Sequence, residues 1–302
     1  MTKIDIQRIL CPTDFSAISV HAFEHAAALA AWHQAALTVL HVQPDTVAPV
    51  SELAYMADAM LLGSPLREAV EAELSSVVAP ARRVGLRADG ELREGRPAIE
   101  IVRAAQERHA DLIVMGTHGR SGFQRWVLGS VAETVLRRAQ CPVLTVPARA
   151  GELTDPMFFK RILCATDFSP ASEAAVGYAA SMAEESNAML VLVHVVERPE
   201  PGAHSRQRLD GGGGRGGIHQ AAQAQLRRAR PEARGGGPSE EIVTCGKVAP
   251  EILRLAAERK TGLIVVGVHG RNLRDLMAFG SVTHQVVREA ICPVIAVRPP
   301  RQ

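Results

Sequence analysis

Residues 112–130 read LIVMGTHGRSGFQRWVLGS, and residues 263–281 read LIVVGVHGRNLRDLMAFGS. Each opens with an unbroken apolar run, Leu112–Met115 and Leu263–Val266, which fits a central parallel strand covered by helices on both faces. A Gly-x2-Gly-x9-Gly-Ser spacing follows each run: Gly116, Gly119, Gly129 and Ser130, then Gly267, Gly270, Gly280 and Ser281. Glycines at a strand end let backbone N–H groups converge on a phosphate with no side chain in the way. A helix starting near Ser130 would add unpaired N–H groups and the positive end of its dipole, and the serine hydroxyl one more bond.

The doubling extends well beyond this loop. Arg8–Ser16, RILCPTDFS, recurs as Arg161–Ser169, RILCATDFS, at an offset of 153. GSVAETVLRRAQCPVLTV from Gly129 recurs as GSVTHQVVREAICPVIAV from Gly280 at an offset of 151, so the second copy loses a net two residues in its middle. Within a copy, apolar runs alternate with helical patterns in the order β-α-β-α-β-α-β-α-β, the pattern of a parallel α/β sheet. Ala98, Ile101, Val102 and Ala105 share one helical face, and Ala249, Ile252, Leu253 and Ala256 repeat it. Ser169 before Pro170 reads as a helix cap with proline in the first turn, and Ser130 with Glu133 as a capping box. The last strands, Val143–Val146 and Val294–Val297, are apolar edges that can cover each other, which predicts packing about a pseudo-twofold axis. Pro147–Pro156 reads as the linker.

The 302 residues suit two domains, and a formal charge of +2 gives no global attraction to nucleic acid or anionic membrane. The N-terminal residues lack the apolar core of a signal peptide, and no run is long enough to cross a membrane, so a cytoplasmic location is expected. Cys11, Cys141, Cys164, Cys245 and Cys292 show no C-x-x-C pair, which predicts buried reduced thiols rather than disulfides or zinc.

Asp14 and Asp167 end the first strand of each copy. If first and fourth strands are neighbours, acid and glycine loop line one crevice at the carboxyl ends of the strands, where such sheets bind ligands. The acid could then meet ribose hydroxyls or a base amine. A helix-capping Asp and merely turning glycines are the plainer alternative, weakened because the long spacing occurs twice.

The combination of [P/A]-T-D-F-S, a strand-end His-Val and the glycine loop resembles the universal stress protein family over nearly all of both halves. The resemblance implies two tandem flavodoxin/Rossmann-like α/β domains, each a five-stranded parallel sheet with helices on both faces, over 1–148 and 157–300. It also implies ATP binding, with magnesium arriving on the nucleotide, by Asp14, Val42, Met115, Gly116, Gly119, Gly129, Ser130 and Val131. The second copy would use Asp167, Val195, Val266, Gly267, Gly270, Gly280, Ser281 and Val282. The implied role is a cytosolic stress sensor or regulator. Its partners would be adenine nucleotide and the other half as an intrachain pseudo-dimer, with a homodimer open and no membrane or specific nucleic acid.

No G-x-x-x-x-G-K-[ST] and no nucleophile–base–orienter set is present, so slow hydrolysis is the most that is expected of catalysis. The alternatives are an interaction module with vestigial loops and, more remotely, an adenylyl-transfer enzyme. His118 and His269 within the loops, and His41 and His194 at the second strands, read as packed or solvated rather than catalytic. Arg120 and Arg125 are candidates for phosphate oxygens. Pro44–Pro65 reads as a Met-rich loop packing on the rim. The Gly/Arg-rich stretch 198–238, where the first copy has an amphipathic helix over Ser64–Val84, reads as a locally scrambled frame. It should be poorly ordered or short-helical between Ile218 and Arg230, leaving the second copy short of a covering helix and weaker for nucleotide.

Overall fold

A computed structural model describes residues 4–44, 55–119, 128–151, 159–197, 215–229, 237–268 and 280–299, with backbone alone for 55–66, 215, 216 and 218. The first half runs β1 (Arg8–Thr13), α1 (Ala17–His33), β2 (Ala36–Gln43), α2 (Tyr55–Arg83), β3 (Ala88–Glu94), α3 (Pro97–Glu107), β4 (Leu112–Gly116), α4 (Ser130–Arg138) and β5 (Val143–Val146). The second half repeats it as β6 (Arg161–Ala165), α5 (Pro170–Ser186), β7 (Met189–Glu197), α6 (Arg215–Ala229), β8 (Ser239–Gly246), α7 (Val248–Glu258), β9 (Leu263–Gly267), α8 (Ser281–Glu289) and β10 (Val294–Val297).

The strands form one ten-stranded sheet in the order β3-β2-β1-β4-β5-β10-β9-β6-β7-β8. Pairing is parallel within each half and antiparallel only where the halves meet, with Leu144 opposite Ile295. Homologous edges thus cover each other in the antiparallel sense that a twofold relation demands. Thr145 adds a hydroxyl bond to the Val294 carbonyl at 3.2 Å.

Side chains alternate along each strand, so each face of the sheet has its own core. Ile9, Cys11 and Val114 pack under α1 and α2, while Leu10, Ile113 and Met115 pack under α3 and α4. The second half divides the same way, with Cys164 and Val265 on one face and Leu163 and Ile264 on the other. Both faces of Leu112–Met115 and of Leu263–Val266 are therefore buried, as their unbroken apolar runs require.

Four local expectations change. The segment ending at Pro65 is no simple loop, because α2 begins at Tyr55 and takes in Met56 and Met60; residues 45–54 lie outside the described residues. Ser130 is the first helical residue of α4 and Gly129 its cap, with no side-chain cap bond; the glycine's N–H instead donates to the Thr117 carbonyl at 3.0 Å. Within 198–238, α6 forms over Arg215–Ala229, close to the short helix expected between Ile218 and Arg230; what changes is its role, since it buries Ala222 and Leu226 against the β7–β8 side of the sheet and the second half keeps a covering helix there. Its run of Ala, Gln, Leu and Arg has high helix propensity, and its two glycines fall in the first turn, where interior penalties of about 1 kcal/mol each apply least. Finally, Cys245 is exposed, on the edge strand β8, whereas Cys11, Cys164 and Cys292 are buried and Cys141 nearly so. Burial pushes the Cys11, Cys141 and Cys292 thiols up to about 12 each and Cys164 still higher.

Candidate functional site

The Thr-Asp-Phe-Ser turn builds the site's first wall. Phe15 adopts φ 62° and Phe168 φ 61°, a left-handed backbone that bulky residues rarely occupy and that costs on the order of 1–2 kcal/mol. Two contacts hold Phe15 there: its N–H donates to Thr13 Oγ1 at 3.1 Å, and its ring lies 4.4 Å from the imidazole of His41. The second copy repeats both contacts, through Thr166 at 3.0 Å and His194 at 4.6 Å. Each histidine is itself fixed by a 2.8 Å bond from Nδ1 to the threonine carbonyl, Thr13 or Thr166. They are packed, hydrogen-bonded residues that hold the turn. The turn makes Ser16 the cap of α1, its Oγ accepting the Ser19 N–H at 3.2 Å, and Asp14 Oδ1 accepts from Ser16 N–H and Oγ at 3.1 and 2.6 Å. Thr13 and Phe15, with Thr166 and Phe168, were not singled out from sequence. The signal was available, since all four stand in the doubled TDFS.

The second wall is the glycine loop. β1 and β4 are neighbours, and a Cβ built on Gly119 would stand 2.5 Å from Asp14 Oδ2. The loop backbone therefore reaches the strand-end acid only because residue 119 has no side chain. Gly129 is less confined, since a Cβ built there would stand 3.2 Å from the Thr117 carbonyl oxygen. His118 bonds Thr117 Oγ1 through Nδ1 at 2.9 Å; its Nε2 is buried and has no hydrogen-bond partner among the described residues.

Strand β2 supplies the third wall. Ala36 N–H donates to the Gln7 carbonyl on the β1 side at 2.8 Å, so by the two-residue alternation of a parallel strand Val42 also presents its backbone groups to that side. β1 stops pairing at Thr13 opposite His41, while Val42 still pairs with Arg93 of β3. The Val42 carbonyl thus points past the end of β1. Met115 is buried beneath, and Gly116 is the last paired residue of β4. Ser130 and Val131, in the first turn of α4, border a cavity of about 500 Å³ whose other walls include Pro44, Arg96 and Arg138.

In the second half, Asp167 Oδ1 accepts the Ser169 N–H at 3.1 Å, Val195 and Val266 are buried, and Gly280 caps α8 ahead of Ser281 and Val282, donating to the Val268 carbonyl at 3.1 Å. Gly267 abuts the backbone of α5: a Cβ added there would stand 2.8 Å from the Ala171 carbonyl carbon and 3.0 Å from Ser172 N. Gly270 and His269, like Arg120 and Arg125 of the first loop, lie outside the described residues. No group of three or more His, Cys, Asp or Glu among the described residues could hold a metal ion.

A parallel sheet with a strand-end acid and a glycine loop meeting beside its switch of strand order belongs to the class of α/β proteins that open a crevice at the carboxyl ends of the strands. The chain is a member of the universal stress protein family: residues 5–147 and 158–298 each match the family's model, "Universal stress protein family". A universal stress protein of Methanocaldococcus jannaschii is 39% identical over 140 residues, 46% of this chain and 81% of that protein. One from Mycolicibacterium smegmatis is 28% identical over 298 residues, 96% of this chain and 97% of that protein. The crystal structure of a universal stress protein from Archaeoglobus fulgidus matches 97% of this chain and 96% of its own with a TM-score of 0.68 at 23% identity, which shows the shared two-domain fold. No helix among the described residues is long and apolar enough to cross a membrane.

Proposed function

We propose that this protein binds ATP in the crevice of its first half and acts as a cytosolic sensor or regulator of stress. The close approach of Gly119 to Asp14 carries this reading, since it puts an acceptor for hydroxyl groups and a side-chain-free backbone on the same crevice. The donor set suits a phosphorylated nucleoside. Asp14 Oδ2 accepts from ribose hydroxyls, the Val42 carbonyl accepts from a base amine, and the first turn of α4 offers N–H groups and the Ser130 hydroxyl to phosphate. Magnesium would be held through phosphate oxygens, and bound ATP would supply its triphosphate charge to the loop. With no nucleophile or base placed across the crevice among the described residues, these hold and orient a nucleotide rather than cleave it.

The test is calorimetric titration with ATP and magnesium of the full chain and of Gly119→Ala. The new methyl would stand 2.5 Å from Asp14 Oδ2 and must turn that carboxylate against its Ser16 bonds or push the loop away, so ATP affinity should drop at least about tenfold, with a stability loss of about 1–2 kcal/mol. A wild-type chain that gives no heat with ATP and purifies without adenine nucleotide would sink the reading.

A further inference from the structure

The cavity beside the first loop has no electrostatic twin in the second half. Arg96 stands just before α3 and Arg138 ends α4, and both line it together with Pro44, Ser130 and Val131. Carried through the repeat, Arg96 becomes Lys247, Arg138 becomes Glu289 and Pro44 becomes Glu197. Strand register supports this equivalence: Gln43 faces Glu94 in the first half and Val196 faces Cys245 in the second, which puts Glu197 opposite Gly246, one residue before Lys247.

The second half repeats the elements that frame the first groove. Each groove lies where two helices begin, α3 with α4 and α7 with α8, so the helix dipoles are the same in both. The side chains make the difference: two cations and no anion at these three positions in the first half, one cation and two anions in the second. A hydrogen bond from Arg288, with a second from Gln285 at 3.3 Å, holds the Glu289 carboxyl below the usual carboxylate range. Arg288 does not create the contrast, because Arg137 fills its place in the first half.

Resting on the nucleotide-binding reading above, we propose that the two halves are tuned to ligands of different charge: the first groove takes the polyphosphate end of a nucleotide, and the second rejects polyphosphate and takes a nucleoside-like ligand with little or no negative charge. Arg96 and Arg138 act as specificity-determining residues for the first site, Glu197 and Glu289 for the second. Exposed charges at roughly 8 Å in high dielectric change affinity about two- to threefold per charge, so the change from two cations to one cation and two anions, facing a triphosphate, separates the halves by at least about tenfold at low salt.

Calorimetric titration of the full chain with ATP and magnesium, AMP and adenosine, at low salt and again at high salt, tests this on three proteins. Wild type should bind one ATP tightly. Arg96→Glu with Arg138→Glu should weaken ATP at least about tenfold and leave adenosine within about twofold, the difference shrinking at high salt. Glu197→Gln with Glu289→Arg should reveal a second ATP of comparable affinity. Two equal ATP sites in wild type, or an ATP-to-adenosine ratio unmoved by both variants, overturns the charge assignment and leaves nucleotide binding intact. Absence of binding by wild type to any of the three ligands overturns the nucleotide reading itself, and is seen before any variant is made.

Discussion

His25 and Tyr178 occupy the same place in the two halves, on the helix after the first strand, at an offset of 153. His25 is buried and Tyr178 half-buried with its hydroxyl oxygen enclosed, and neither His25 Nε2 nor the Tyr178 hydroxyl has a hydrogen-bond partner among the described residues. One fold thus tolerates an orphaned polar atom there twice, through different chemistry. Burial pushes the Tyr178 phenol up, away from any pH a cell meets, but lowers His25 to about 4, inside the range where acid unfolds proteins. Duplication preserved the frame, and each half then acquired its own weaknesses.

The largest expected difference lies at the glycine that ends β4 and β9. At Gly267 a methyl would meet three backbone atoms of α5 at 2.8–3.0 Å, and backbone yields only if the helix moves. At Gly116 the nearest atom is the Ile18 Cγ2 methyl at 2.7 Å, which gives only by a turn of that β-branched side chain, while the nearest backbone atoms stand farther off at 3.3 and 3.4 Å. Gly267→Ala should therefore cost about 3 kcal/mol and Gly116→Ala about 1, read from urea midpoints by circular dichroism. Equal losses would break the comparison at this position.

Acid separates the halves next. Nδ1 of His25 faces the His21 carbonyl at 3.0 Å and must donate to it, leaving Nε2 as the buried, unprotonated nitrogen. Between about 4 and the ordinary value of 6.5, the unfolded chain takes up a proton that the folded chain refuses. The stabilisation is complete above pH 6.5 and falls as pH drops toward 4, by up to about 3 kcal/mol. His25→Tyr, which installs the sibling residue, should flatten the stability profile between pH 7.5 and 4.5 by that order. An unchanged slope would mean that the acid sensitivity resides elsewhere.

These contrasts bear on what a sequence reveals. The repeat and its apolar runs made the sheet, its parallel order and the β5–β10 joint legible, because burial on two faces and exposed homologous edges leave few arrangements. The meeting of Asp14 and Gly119 was legible as a conditional, needing only adjacent first and fourth strands. Several things were hidden. Composition left at most a short helix near α6 and no cover for the sheet, yet Ala222 and Leu226 fall on one face and tertiary packing outweighs nearby glycines. The left-handed Phe15 carries no glycine signal, since a threonine hydroxyl and a histidine ring hold it in place. The cap at α4 shifted by one residue because Gly129 is pinned to Thr117 by its own N–H.

The smallest effect is the most discriminating. Ser16 and Ser169 both cap helices, accepting the N–H of the third residue on at 3.2 and 3.3 Å, so replacing either by alanine should cost about 1 kcal/mol. Their hydroxyl protons go to different places. Ser16 Oγ donates to Asp14 Oδ1 at 2.6 Å, whereas Ser169 Oγ makes a 3.4 Å contact with Ser172 Oγ. Ser16→Ala therefore takes the 2.6 Å hydroxyl bond from the carboxylate that faces Gly119 and leaves it the Ser16 backbone bond, whereas Ser169→Ala leaves Asp167 with the Ser169 backbone bond it already has. The two variants should melt alike in differential scanning calorimetry, while Ser16→Ala alone lowers ATP affinity, by roughly three- to tenfold for one charge-assisted bond. Equal affinity losses in both would show that the second crevice contributes as much as the first. No loss in either would show that the orientation of Asp14 does not matter to the ligand.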